Sequence, residues 1–144
     1  MGGLWDYGGG LVTLLRPEDH FKKLGSIGRE IFGTDRIKLL DKDRKGVRDG
    51  EVGEVFYRTP MLLKEYFKEP EKTREAFEGE RSSAGDMARP DEDGYYMLVD
   101  RKANMIITGG ENVYPSEVEN ALGVHEAIKD VAVIDVPDYK CGEA

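Results

Sequence analysis

The chain has 144 residues, a length that allows one domain or one domain with part of a second. Its 39% hydrophobic and 35% charged residues are typical of a folded globular protein, and its net charge of −8 argues against nucleic acid or an anionic membrane as the main partner. The single Cys141 cannot form an internal disulfide and no apolar run is long enough to span a membrane, so we expect a cytoplasmic protein. With two histidines in the chain, a zinc site is not expected.

The first part of the chain alternates short apolar segments with turn signals. The segment Leu11–Leu15 predicts a short buried strand that ends before Pro17. Residues 25–57 contain further apolar pieces separated by turns, among them Asp49-Gly50. This spacing predicts a small antiparallel sheet or barrel.

Two helices and a hairpin are predicted in the middle of the chain. Leu62–Phe67 and Glu71–Phe77 both have helical spacing, and Pro70 suits the start of the second helix. Asp93-Gly94 is a strong hairpin signal, and it precedes a predicted strand over Tyr95–Val99.

The pattern changes after Asp100. We predict a strand over Met105–Thr108, a turn over Gly109–Asn112, a helix over Ser116–Leu122 and a last strand over Val131–Val136. The fold class predicted from the whole pattern is α+β. It consists of a small distorted antiparallel β-barrel or sheet with short helices, followed by a partial α/β subdomain.

Ser116 and Glu119 have the spacing of a capping box at the start of the last predicted helix. In that motif the hydroxyl and the carboxylate each accept a hydrogen bond from a backbone N–H that the helix leaves free. The sequence therefore predicts that these two side chains cap the helix.

Taken one at a time, the remaining motifs favour plain turns. A calcium-binding loop at Asp91–Gly94 would need an acidic residue five positions before its glycine, and Arg89 stands there. Asp86 follows Gly85, and its carboxylate has the geometry to hold the two hydroxyls of a ribose, although an Asx-turn is the favoured interpretation of this position alone. Gly109-Gly110 alone also favours a turn.

Together these motifs resemble the adenylate-forming superfamily, and within it the acyl-CoA synthetases, or fatty-acid–CoA ligases. The resemblance is carried by AGDM, DEDGYY, DRKANMI and GGENVYPSEVE, which follow one another in the family's order and at about its spacing. The segments GSIGREI, GEVGEVFYR and YFKEPEKTREAF also look like parts of the family. The resemblance extends from about Tyr7 to the last residue.

The resemblance implies a domain arrangement and a reaction. Residues 1–99 would be the end of the large N-terminal domain, with a β-barrel subdomain. Residues 100–103 would be a hinge centred on Lys102 and Ala103, and residues 104–144 an incomplete C-terminal α/β domain. Enzymes of this family use ATP and Mg²⁺ to convert a fatty or aryl carboxylic acid into an acyl-adenylate, and the thiol of coenzyme A then displaces AMP.

The resemblance also assigns roles to individual residues. Asp86 would bind the ribose hydroxyls of ATP and AMP, Arg101 would bind the same ribose or the phosphate, and Tyr7 would give an aromatic face to adenine. Gly109-Gly110, with Glu111 in the same loop, would line the narrow passage for the pantetheine arm of coenzyme A.

Several family features are missing from this sequence. Gly9-Gly10-Leu11 stands where the family has a threonine and a glutamate for phosphate and magnesium, and Ala84 replaces the threonine before Gly85. The family's upstream phosphate loop and its C-terminal lysine are absent as well. We therefore expect no catalytic residue and no metal ligand in this chain, and no adenylation by the chain alone. The alternative hypothesis is a non-catalytic fragment that binds nucleotide or associates with itself as a homo-oligomer or by domain exchange.

Overall fold

The computed structural model describes residues 5–6, 10–31 and 37–144, and the side chains of residues 11–31 and 37–144. The chain separates into two compact units, residues 1–98 and residues 99–144. Each unit has its own strands and one α-helix.

The first unit is built mainly from short strands. In chain order they are β1 (Trp5–Asp6), β2 (Gly10–Leu11), β3 (Thr13–Leu14), β4 (Ser26–Glu30), β5 (Ile37–Leu40), β6 (Gly53–Tyr57), β7 (Phe77–Glu78), β8 (Arg81–Ser82), β9 (Asp86–Pro90) and β10 (Tyr96–Arg101), the last of which runs into the second unit. The helix α1 (Pro70–Ala76) precedes β7, and a 3-10 turn covers Pro17–Asp19.

The strands of the first unit form a curled antiparallel sheet. Its order is β3-β4-β10-β9-β6-β8-β7, with β5 paired to β6, while β1 and β2 form a separate two-stranded ladder. The predicted α+β class with a small distorted antiparallel sheet is confirmed. This arrangement places β9 between β10 and β6.

The hydrophobic core of the first unit lies around β6. Every residue of β6 is buried, and its side chains Val55 and Tyr57 join a cluster that also contains Val12, Ile37 and Ala88. A strand that is covered on both faces reads as a continuous rather than an alternating apolar run, as VFY does here.

A close approach of two strands fixes Gly28 in β4. Its φ is +97°, and a Cβ at this position would lie 2.1 Å from the carbonyl carbon of Leu14 in β3. Only glycine tolerates both the backbone conformation and the contact. The pairing of β3 with β4, which brings Thr13 opposite Glu30, depends on this residue.

The second unit combines a small antiparallel sheet with one helix. Its elements are β11 (Ile106–Thr108), β12 (Glu111–Val113), α2 (Pro115–Gly123), β13 (Pro137–Asp138) and β14 (Gly142–Glu143), and a 3-10 turn covers Lys102–Asn104. The sheet order is β12-β11-β14-β13.

Several predicted elements are confirmed with shifted ends. The helix predicted over Glu71–Phe77 is α1, and the one predicted over Ser116–Leu122 is α2. The Asp93-Gly94 hairpin joins β9 to β10, where the Gly94 N–H donates to the Asp91 carbonyl at 3.0 Å. The predicted strand Leu11–Leu15 is divided into β2 and β3.

The helix predicted over Leu62–Phe67 is wrong, because residues 62–66 have no regular secondary structure and Phe67 belongs to a turn. In a helix the Tyr66 N–H would donate to the carbonyl of Leu62, but here it donates to Thr73 Oγ1 at 2.9 Å. Leu62 instead packs against the core cluster of the first unit. A six-residue segment is too short to form a stable helix by itself, so these contacts decide its conformation.

The strand predicted over Val131–Val136 is also wrong. The Val133 N–H donates to Glu119 Oε1 at 2.9 Å, so a side chain takes the place of a ladder partner. Regular pairing starts only at the end of the segment, where Val136 and Ala144 exchange two backbone hydrogen bonds of 3.0 and 2.9 Å. The strand that follows is β13, and it begins at Pro137, directly after the last residue of the predicted strand.

Candidate functional site

Asp86 is a buried carboxylate at the start of a central strand. It is the first residue of β9, it is 4% exposed, and it follows Gly85, whose φ is +81°. The Gly85 N–H donates to Ser83 Oγ at 2.9 Å, which fixes the turn that leads into β9. Asp86 is therefore held in a defined position by the sheet and by the turn before it.

Asp100 is the second buried aspartate, and it lies at the beginning of the second unit. Its Oδ1 accepts the Arg101 N–H at 2.7 Å and the Asn104 Nδ2 at 2.9 Å. Its Oδ2 accepts the Ser116 N–H at 3.0 Å and the Ser116 hydroxyl at 2.8 Å. The fold thus connects Arg101, a predicted nucleotide-binding residue, to the first turn of α2 through one carboxylate.

The environment of Asp100 favours its ionised form. Burial alone would raise the pKa of this carboxyl, but the hydrogen bonds from Ser116, Arg101 and Asn104 outweigh it and hold the pKa below its usual value. An ionised carboxylate only accepts hydrogen bonds, and each of the two oxygens of Asp100 accepts two of them. Sequence reasoning included Asp100 in the hinge region but missed this role, since its main partner is 16 residues away.

The predicted capping box is wrong. Ser116 donates its hydroxyl and its N–H to Asp100, and Glu119 accepts from Val133, so the two side chains do not cap each other. The residue at the N-cap position of α2 is Tyr114, which makes no side-chain capping bond. A carboxylate from a distant part of the chain therefore satisfies the helix start.

Gly109 and Gly110 form the tight turn between β11 and β12. Their φ values are +58° and +90°, the combination that a two-residue type I′ hairpin turn needs. A Cβ added at either position would meet nothing within 4 Å. The turn is shorter than predicted, because Glu111 and Asn112 already belong to β12. The backbone conformation alone is a sufficient reason for glycine here.

The other predicted site residues lie on the surface of the second unit. Arg101 ends β10, Lys102 and Ala103 belong to the 3-10 turn that follows it, and Glu111 starts β12; all four are exposed. Tyr7, the predicted adenine contact, lies outside the described residues.

Within residues 11–31 and 37–144, no group of three or more acidic, histidine or cysteine side chains is arranged to hold a metal ion. Neither α1 nor α2 is long and apolar enough to cross a membrane, and the described part of the chain has no other α-helix.

Comparisons with known proteins show which proteins this chain is similar to. No protein-family model matches the chain. A medium/long-chain-fatty-acid–CoA ligase of Mycobacterium tuberculosis is 43% identical over 135 residues, which cover 93% of this chain and 24% of that protein. A 2-succinylbenzoate–CoA ligase of Oceanobacillus iheyensis is 38% identical over 131 residues, which cover 91% of this chain and 26% of that protein.

Solved structures agree with the sequence matches. The o-succinylbenzoate–CoA synthetase of Bacillus subtilis, in complex with ATP and a magnesium ion, superimposes with a TM-score of 0.76 at 32% identity, covering 92% of this chain and 27% of that chain. The chain is homologous to the acyl-CoA and aryl-CoA ligases of the AMP-binding superfamily. The resemblance found in its sequence motifs is thereby confirmed.

The chain spans about a quarter of the length of the curated relatives it matches. An amide bond synthetase of Marinactinospora thermotolerans superimposes on this chain with a TM-score of 0.82 at 34% identity, covering 95% of this chain and 28% of that chain. The fold of this chain therefore occurs both in a CoA synthetase and in an amide bond synthetase.

Proposed function

We propose that this chain is part of an ATP-dependent, AMP-forming ligase that joins a fatty or aryl carboxylic acid to coenzyme A. Its homology to such ligases over more than nine-tenths of its own length supports the proposal. Residues 1–99 would then end the large N-terminal domain, residues 100–103 would be the hinge, and residues 104–144 would begin the C-terminal domain. The exposed, unpaired Cys141 is compatible with a cytoplasmic location.

The observation that carries the proposal is the buried carboxylate of Asp86 in the motif AGDM. At 4% exposure and at the start of β9, the carboxylate has a fixed position, so its two oxygens can be aligned in advance with two neighbouring hydroxyls. We assign Asp86 to the ribose hydroxyls of ATP and AMP, Arg101 to the ribose or phosphate, and Tyr7 to adenine. The guanidinium of Arg101 keeps its positive charge at any working pH.

The described residues offer no site for Mg²⁺, but they leave room for the pantetheine arm of coenzyme A. In the described residues no cluster of acidic side chains could hold Mg²⁺, so we assign its ligands to other parts of a longer ligase. The turn at Gly109-Gly110 carries no side chains and has open space around it, so an extended pantetheine arm could lie along its backbone. Glu111 is exposed next to this turn.

A test of the nucleotide site is calorimetry with AMP on the 144-residue chain. We expect weak binding that Asp86→Ala removes and that Asp49→Ala, a change at an exposed aspartate, leaves intact. Binding that is equal in all three proteins would contradict the role of Asp86. Circular dichroism of each variant verifies that the fold is retained.

Because the chain spans about a quarter of the length of its relatives, the overall reaction would also need groups from the rest of such a ligase. We expect no release of pyrophosphate when the chain is mixed with a fatty or aryl acid, ATP, Mg²⁺ and coenzyme A, because positioned charges provide most of the acceleration in such reactions. A complete fatty-acid–CoA ligase serves as the positive control. Turnover by the chain alone would contradict this account.

Exposed apolar side chains favour a second candidate function, self-association. Phe21 is 91% exposed, Leu24 75% and Val124 84%, which is much apolar surface for a small chain. Light scattering across a concentration series measures the mass directly. A monomer at all concentrations would exclude this candidate and leave the ligase proposal untouched.

A further inference from the structure

The hydrogen bonds of Asp100 connect two parts of the chain that lie on opposite sides of the proposed hinge. Asp100 precedes Lys102 and Ala103, whereas its partner Ser116 follows them. The bonds to Ser116 close a loop of the chain that contains the 3-10 turn and the hairpin of β11 and β12. The hinge residues are thus inside a loop whose two ends are bonded to each other.

The division of the chain into compact units agrees with this arrangement. The boundary falls between Leu98 and Val99, so Asp100 belongs to the same unit as α2, and the proposed hinge at Lys102 and Ala103 lies inside that unit. A backbone rotation at these two residues would move Asp100 away from Ser116. Such a rotation therefore requires both bonds at Oδ2 to break.

The bonds at Asp100 are strong, but their surroundings allow their release. Asp100 is 6% exposed, and bonds from N–H and O–H groups to an ionised carboxylate are stronger than those between neutral partners. A cavity of about 210 Å³ adjoins them and is lined by Asp100, Asn104, Ser116 and Glu119 among others. A polar cavity of this size can admit water molecules, which can replace the lost partners when the bonds break.

We propose that Asp100 is a conformational latch that bonds to Ser116 across the hinge and holds Arg101 and the first turn of α2 in one fixed arrangement. Opening the latch is the event that lets Lys102 and Ala103 act as a pivot. Asp100 is thus a positioning residue for Arg101, and its role in a ligase rests on the proposed function. Its existence as a latch is a property of this chain alone.

Hydrogen exchange and ¹⁵N relaxation of the 144-residue chain, measured by NMR without nucleotide, test the latch. In Asp100→Asn the amide group of the new side chain cannot accept from all four donors. We expect the Ser116 amide to exchange roughly tenfold faster or more, since a bond to a charged group is lost. The backbone at Lys102 and Ala103 should also become more mobile, while amides of β6 keep their exchange rates.

Asp135→Asn is the matched control, because Asp135 lines the same cavity and is exposed. It should leave the exchange of Ser116 within about twofold of the unchanged chain. If Asp100→Asn also changes Ser116 exchange by less than about twofold, the latch is excluded. If it accelerates the amides of β6 as much as that of Ser116, Asp100 acts on the whole fold and the proposal is equally overturned.

A second pair of variants decides the matter if Asp100→Asn unfolds the second unit. Ser116→Ala removes the hydroxyl bond to Asp100 and keeps the N–H, whereas Ser116→Thr keeps both donors. We expect Ala to increase mobility at Lys102 and Ala103 and Thr to restore the original values. Equal mobility in both variants would overturn the latch. None of these measurements involves AMP, so their outcome is independent of the test of Asp86.

Discussion

In the first unit the strand β6 is buried along its whole length, and its side chains Val55 and Tyr57 join an apolar cluster. The second unit has few buried side chains, and the carboxylate of Asp100 accepts four hydrogen bonds there. Apolar burial is non-directional and scales with area. Hydrogen bonds to a buried charge depend on single atoms and on pH. The two units should therefore respond to different perturbations.

The largest effect is expected from a cavity in the first unit. Phe56 in β6 is fully buried, and the guanidinium of Arg44 lies 4.6 Å from its ring centre. Phe56→Ala should lower the free energy of unfolding by about 3–5 kcal/mol, because the transfer energy of the ring is lost and a cavity remains. Urea denaturation followed by tryptophan fluorescence and circular dichroism measures this loss.

Phe21→Ala is the matched control for Phe56→Ala. Phe21 is 91% exposed, so its removal should change the free energy of unfolding by no more than about 0.5 kcal/mol. Comparable losses in the two variants would mean that the core of the first unit is not where its stability resides.

A pH effect is expected in the second unit. The pKa of Asp100 is lowered on folding, since hydrogen bonds to the ionised form outweigh its burial. The stabilisation is therefore complete above the ordinary aspartate pKa of about 4 and is lost as the pH falls through the lower pKa of the folded state. Protonation of Asp100 should therefore lower the stability of the second unit as the pH falls through that lower pKa.

The carboxyl ¹³C shift of Asp100 and the amide ¹H shift of Ser116 should titrate together below pH 4. Bulk acid denaturation is a less specific measurement, because backbone N–H bonds from Cys141 and Lys140 also lower the pKa of Asp138. A Ser116 amide shift that does not follow the titration of Asp100 would contradict the bond between them.

A smaller effect is expected at the glycine turn. Gly109→Ala should destabilise the second unit by about 1–2 kcal/mol, because its φ of +58° is unfavourable for a residue with a Cβ. Gly109→Asn should change stability by less than about 0.5 kcal/mol, since asparagine is favoured at the first position of a type I′ turn. Thermal unfolding of the unchanged chain and of the two variants ranks their stabilities.

The same Gly109→Asn change tests whether glycine is needed here for the backbone conformation alone or also for a passage for pantetheine. In a complete ligase carrying this segment, a stable variant that forms the acyl-adenylate normally but loses thioester formation would support a passage for pantetheine. If both steps are unaffected, the backbone conformation is the whole explanation.

The smallest effect is expected for the ion pairs of Lys23 in the first unit. Its Nζ lies 2.6 Å from Asp91 Oδ2 and 2.5 Å from Asp93 Oδ2, which joins the hairpin between β9 and β10 to the turn after Pro17–Asp19. Lys23→Met should lower the thermal midpoint slightly, and the difference should shrink at high salt. Arg74→Met, which breaks an exposed pair within α1, should have still less effect. If the difference in thermal midpoint between Lys23→Met and the unchanged chain stays the same at high salt, the loss of stability comes from packing rather than from charge.

Local sequence was sufficient where a conformation depends on neighbouring residues. Asp93-Gly94 predicted its hairpin, and Pro70 predicted the start of α1, because each restricts the backbone at its own position. Prediction failed in two segments. In Leu62–Phe67 a backbone N–H donates to Thr73 Oγ1, and in Val131–Val136 one donates to Glu119 Oε1. No local pattern reveals such partners.

The sequence by itself determined the fold class, the hairpin at Asp93-Gly94, the start of α1 at Pro70, and the motif order that resembles the acyl-CoA ligases. Tertiary structure alone decided that Asp86 is buried at the start of a central strand and that Asp100, rather than Glu119, satisfies the first turn of α2. The physical reason is that a short apolar segment or a polar side chain has several local conformations of similar energy. Contacts between residues far apart in the chain select one of them.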